Sequence, residues 1–100
     1  MALPNPKSHR IPLEEAAAQT RRYRAGLRKG GLFLRKEVDE LLAQPGCAAL
    51  RFYYGRTEDG ADTLVLVGSD DKGSDMTGGV VLELHFPCPP FCDDASALNS

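Results

Sequence analysis

The sequence predicts an α+β fold, two helices packed on a three-stranded antiparallel meander sheet. Apolar residues recur at three-and-four spacing as far as Gln44, the period falls to two from Cys47 onward, and the later apolar stretches are joined by short polar turns. Helices first and strands second is the order of an α+β domain. At 100 residues, one core is expected, burying roughly 60 to 70% of the surface of the unfolded chain. With 42% hydrophobic and 26% charged residues, ten Gly and seven Pro, the composition is that of a folded globular domain and excludes disordered and collagen-like classes.

Residues 1–11, with Pro4 and Pro6 and no periodicity, read as a flexible arm. The first helix starts at Pro12, whose fixed φ and missing N–H suit a first turn, and Glu14 and Glu15 follow at the positive end of its dipole. Leu13, Ala16, Ala17, Thr20, Tyr23 and Leu27 form its apolar face, basic residues close it, and Gly30-Gly31 ends it. A second helix is predicted over Leu34–Gln44, with Leu34, Val38, Leu41 and Leu42 on the buried stripe and Pro45-Gly46 as its stop.

The first strand, CAALRFYYG, sets Ala48, Leu50, Phe52 and Tyr54 on one face against Ala49, Arg51 and Tyr53 on the other, as in a half-buried strand. RTEDGAD carries the Asp-Gly hairpin signal. TLVLVG is apolar on both faces, as a central strand would be, and SDDKGSDMTGG is a loop. VVLELHF is the third strand, with Val80, Leu82, Leu84 and Phe86 facing one way and Glu83 and His85 outward. The domain so defined spans residues 12–87, and residues 88–100 form a Cys/Pro-rich tail. A sheet of three strands leaves open edges, and edge pairing into a dimer is the consequence.

No apolar run approaches the roughly 20 residues of a membrane helix, and MALPNPKSHR has no signal-like apolar stretch. The expected location is cytoplasmic. Three cysteines, an odd count with Cys47 far from the other two, argue against a disulfide framework and for reduced thiols.

The charge is lopsided. Residues 1–36 hold nine Lys and Arg against two Glu, a net of +7, while residues 37–100 hold three basic against twelve acidic residues, a net of −9. Such a chain neutralises itself, pairs with a copy, or takes an anionic partner. Arg21, Arg24 and Arg28 lie along one side of a continuous helix and would track phosphates, with Tyr53 or Tyr54 as a stacking platform. The acidic pI of about 5.6 weighs against nucleic acid and for a protein partner.

HFPCPPFCDD is the one constellation with metal-ligand chemistry. His85, Cys88 and Cys92 offer imidazole and thiolates suited to zinc or copper, and Cys47 is a candidate fourth ligand. Against this, the second ligand pair of a structural zinc site is missing and Pro89-Pro90 stiffens the loop, which also resists a Cys88–Cys92 disulfide. The bland alternative is that the prolines stop the last strand and the thiols do no chemistry. The Asp-rich loop SDDKGSD lacks the order of an EF-hand and reads as a solvated turn. No nucleophile elbow or phosphate loop is present, and Glu83 with His85 is the lone acid–base couple.

LLAQPGCAALRFYYG, TLVLVG and CPPFCDDASALNS together resemble a family of small bacterial proteins of no assigned activity. In that family a short helix with a Thr and a Tyr-Arg pair, matched here by Thr20 and Tyr23-Arg24, precedes a PGC-x-x-L-R-F-YYG strand, and a Cys-Pro tail closes the chain. The short Gly30-Gly31 link departs from that pattern. The resemblance implies no activity.

The expected function is therefore a non-enzymatic protein-interaction module or accessory subunit that self-associates or joins an assembly. A metal or thiol module built on the His/Cys tail is the alternative, and a nucleic-acid binder using the Arg-rich first helix is the second.

Overall fold

The computed structural model describes residues 3, 4, 8–23, 28–83 and 85–99. They form two α-helices, a three-stranded antiparallel sheet and a separate two-stranded one, an α+β architecture. The order along the chain is α1 (Leu13–Arg22), β1 (Gly30–Leu32), α2 (Arg35–Leu42), β2 (Ala49–Arg56), β3 (Asp62–Ser69), β4 (Val81–Leu82), β5 (Phe86–Cys88) and a closing 3₁₀ turn, Ala97–Asn99. Two compact units result, one of Met1–Asn5 with Phe33–His85 and one of Pro6–Leu32 with Phe86–Ser100. The sequence expectation had joined residues 12–87 instead.

The first unit holds the sheet β2-β3-β4 with β3 central. The apolar-on-both-faces stretch thus lies where a doubly covered strand belongs. The β2–β3 hairpin closes where Asp59-Gly60 predicted, with the Gly60 N–H donating to the Thr57 carbonyl at 2.9 Å and Gly60 at φ +87°, where only glycine is unstrained. Helix α2 starts after Leu34 and ends before Pro45-Gly46, where Gly46 turns the chain at φ +83°. Leu41, completely buried, packs with Leu66 of β3 and Leu82 of β4, and Phe33, Val38, Cys47 and Val80 close around them.

Of the predicted stripe on α2, Leu41 is buried and Val38 partly so, while Leu34 and Leu42 are about half exposed. A two-turn helix about 12 Å long brings one strong contact row to the sheet and cannot bury all four. Gln44 ties this helix end to the strand entry. Its side-chain N–H donates to the Leu41 carbonyl at 2.7 Å, and its oxygen accepts from the Val80 N–H at 2.8 Å.

The second unit holds α1, the β1–β5 pair and the tail. Helix α1 is N-capped by Pro12, whose carbonyl accepts from the N–H groups of Glu15 and Ala16. It ends at Arg22. Tyr23 is extended, at φ −96° and ψ 93°, and its N–H folds back to the Thr20 carbonyl. The buried residue is Ala17, and α1 packs against the Ala97–Asn99 turn.

Two sequence expectations are corrected here. The first helix does not run on to Gly30: it ends at Arg22, where Tyr23 turns extended, and residues 30–32 form β1, paired with Cys88, Pro87 and Phe86 of β5. The expected third strand over residues 80–86 is also divided. Val81–Leu82 stays on β3, whereas Phe86 belongs to the other sheet. Leu84, expected on the buried face, lies outside the described residues.

Candidate interaction surface

Strand β2 is an edge strand eight residues long, and among the described residues β3 is the strand that pairs with it. Facing residues in an antiparallel ladder share a face. Phe52 opposite Leu66, and Leu66 opposite Leu82, put Phe52 on the face that carries the core. Leu50, opposite Gly68, and Tyr54, opposite Leu64, lie on the same face. The core cluster takes in β3 and β4 and stops short of them: Leu50 is 43% exposed, Phe52 52% and Tyr54 86%. The Phe52 and Tyr54 rings meet edge to face, centroids 5.5 Å apart, an arrangement aromatic pairs favour. A contiguous apolar stripe therefore lies beside an open ladder, the combination that natural sheets ordinarily blunt with charge or proline.

The opposite face of β2 is polar and closed on itself. Arg51 Nη1 donates to Asp75 Oδ1 at 2.6 Å and to the Gly73 carbonyl at 3.0 Å, while the Tyr53 hydroxyl donates to Asp75 Oδ2 at 2.5 Å. The hydrogen bond from Tyr53, with the charge and hydrogen bond of Arg51, holds the Asp75 carboxyl below its usual range. The same bond to Asp75, with some loss of solvent, raises the Tyr53 phenol above its usual value. Arg51 is likewise raised by Asp75 and stays a cation. The Asp70 carboxylate accepts from the N–H groups of Ser74 and Lys72, both at 2.9 Å, and is held low by them. The Asp-rich loop thus uses Asp70 and Asp75 to fix its own backbone and the sheet. Sequence periodicity could place Arg51 and Tyr53 on one face but held no signal for Asp75 as their shared partner.

The tail residues are arranged differently from the metal reading. Cys88 and Cys92 form a disulfide with Cα atoms 4.8 Å apart. This corrects the expectation of reduced thiols and of a loop too stiff to close. The Phe91 N–H donates to the Pro87 carbonyl at 2.9 Å and the Cys92 N–H to the Pro90 carbonyl, so the segment turns tightly. The Phe86 and Phe91 rings pack edge to face over it at 5.2 Å. Sulfurs joined to each other are not thiolate ligands.

His85, expected to face outward, has a side chain only 6% exposed. Its Nδ1 lies 3.2 Å from Thr63 Oγ1 and 3.1 Å from the Glu83 carbonyl, and its ring packs 5.7 Å from Phe33. Because the Thr63 hydroxyl donates to Glu83 Oε1 at 2.7 Å, acceptors surround Nδ1, and it carries the hydrogen. The group ties β3 to the segment after β4. Cys47 sits at the other end of β3, its Sγ 3.4 Å from the Ala49 carbonyl and beside Gly68. Thr63 and Gly68 are five strand positions apart, about 16 Å, so Cys47 and His85 do not converge on one ion. Among the described residues no three His, Cys, Asp or Glu side chains converge as a metal site.

Arg21 lies in the exposed last turn of α1, Arg28 lies beyond the end of that helix, and Arg24 is outside the described residues. Of the two tyrosines offered as stacking platforms, Tyr53 is tied through its hydroxyl to a carboxylate and Tyr54 is 86% exposed. Among the described residues, no helix is long and apolar enough to cross a membrane. No family model, curated protein or solved structure matches this chain. The resemblance seen in the sequence accordingly brings neither fold nor function with it.

Proposed function

We propose that this protein is a small non-enzymatic interaction module that joins an assembly through the open edge of β2 and the apolar stripe beside it. One observation carries the proposal: an eight-residue edge strand whose Leu50, Phe52 and Tyr54 stay exposed on the core-bearing face. Exposed apolar side chains in a contiguous patch mark interaction sites, and an unpaired edge adds main-chain hydrogen bonds to whichever strand docks there. The polar groups elsewhere support the same reading. Arg51, Tyr53 and Asp75 satisfy one another, as do Thr63, Glu83 and His85, which leaves those groups committed to holding the sheet.

The test is hydrodynamic. The full chain, purified gently from producing cells at low and at moderate salt, should run larger than its 10.8 kDa mass. Phe52→Lys with Tyr54→Lys should return it to monomer size while leaving its circular dichroism unchanged. A strict monomer at low salt, with nothing bound and no response to the double substitution, would refute the proposal.

A further inference from the structure

The occupant of the β2 edge can be read from the strand itself. We infer that it is the β2 strand of a second copy, paired antiparallel about a two-fold axis that passes beside Phe52. The inference rests on the interaction reading above and names its partner.

Two antiparallel edge strands that continue one sheet are related by an axis perpendicular to it, so facing residues share a face and each residue meets one of like parity. Only a few registers satisfy that. With Phe52 on the axis, Phe52 meets its own copy, Leu50 meets Tyr54, and Ala49 meets Gly55, each from the other chain. On the polar face Arg51 meets the other copy's Tyr53. The run Ala-Leu-Arg-Phe-Tyr-Tyr-Gly is thus complementary to its own reverse: apolar faces apolar on the open stripe, and cation faces phenol on the other side.

Neighbouring registers are worse. Centring on Arg51 sets two guanidinium groups face to face, and centring on Tyr53 sets Leu50 against Arg56. Like charges directly opposite each other oppose pairing. In the Phe52 register, by contrast, Arg51, which keeps its own Asp75 at 2.6 Å, faces the uncharged Tyr53 of the other copy, so no like charges meet at the axis. Arg56 is likewise paired with Asp62 at 3.7 Å. Edge pairing of this kind makes one six-stranded antiparallel sheet from two three-stranded ones. The stripes of Leu50, Phe52 and Tyr54 then become its continuous centre.

Sedimentation equilibrium of the purified chain across a wide concentration range should give a reversible dimer. Phe52→Lys should weaken it by about 100-fold or more, since two cations then share the axis. Val81→Lys, on the short strand at the other edge of the sheet, should leave it intact. Register is read separately by mild oxidation in a Cys47→Ser background. Phe52→Cys should cross-link to its own copy, whereas Leu50→Cys, about 13 Å from its counterpart along the strand, should not.

Cross-linking at position 50 instead of 52, or a dimer that ignores Phe52→Lys and yields to Val81→Lys, overturns the inference. If the pure chain is monomeric throughout while Phe52→Lys with Tyr54→Lys still abolishes a larger complex isolated from cells, self-pairing fails and the interaction reading stands. Loss of both effects removes both. Should Phe52→Lys perturb folding, the cross-linking pattern decides alone.

Discussion

Leu41→Ala probes the packing on which the sheet-bearing unit depends. Among the described residues, Leu41 is the large apolar side chain with no exposure at all, held between Leu66 and Leu82. Truncation to alanine removes three carbons, worth about 2.4 kcal/mol at about 0.8 kcal/mol each. The backbone of the sheet and of α2 is fixed by hydrogen bonds, so the space closes only in part, and the cavity raises the total to about 3–4 kcal/mol. A unit built from Met1–Asn5 and Phe33–His85 has about 3–9 kcal/mol in all at ordinary stability per residue. The substitution therefore consumes a third or more of it. Leu42→Ala, next in sequence but about half exposed, should cost less than about 1 kcal/mol. Urea unfolding followed by far-ultraviolet circular dichroism and tyrosine emission checks this, since the chain has no tryptophan and two of its three tyrosines lie in β2. Equal losses from Leu41→Ala and Leu42→Ala, or a loss below about 1 kcal/mol for Leu41→Ala, would refute this account of the core.

Further outcomes follow from the other ties. The Asp75 carboxyl is depressed, so its contribution is present above the ordinary Asp value near 4 and is lost as acid protonates it below that. The Tyr53 phenol is raised, so its contribution holds below about 10 and disappears as base ionises it in the folded protein; melting curves against pH should show both losses in the native chain and neither in Asp75→Asn. Thiol titration of the denatured, unreduced protein should find one free thiol per chain, Cys47; a count of three would return Cys88 and Cys92 to the pool of metal ligands. Reduction of that five-residue loop should cost about 2 kcal/mol of local stability, read as roughly 30-fold faster exchange of the Lys29 N–H bonded to the Cys88 carbonyl, with the Cys47 N–H unaffected. Gln44→Ala removes the donor to Leu41 and the acceptor for Val80, and unfolding should register a loss of about 1–2 kcal/mol.

Much of the candidate surface was legible in the sequence. The period-two run from Ala48 to Tyr54 identified an aromatic strand, and its position at the start of a meander identified it as an edge. Which face would be covered was not legible. Both faces of ALRFYYG carry large side chains, and the choice was made by where α2 could reach. Likewise His85 and Glu83 alternate in sequence as outward residues would, yet the side-chain bonds to Thr63 on a neighbouring strand turned His85 inward.

By itself the sequence determined the elements whose signals are local. These are α2 between its apolar stripe and Pro45-Gly46, the β2–β3 hairpin with Gly60 at positive φ, and the start of α1 at Pro12. Each depends on dihedral preferences and periodicities within a few residues. Only the tertiary structure decided that Gly30–Leu32 pairs with Phe86–Cys88, that Cys88 joins Cys92, and that Leu50, Phe52 and Tyr54 remain exposed. With the exception of the short disulfide loop, these outcomes depend on contacts between segments far apart in the chain. A ladder or a packed helix supplies free energy there that no local preference contains.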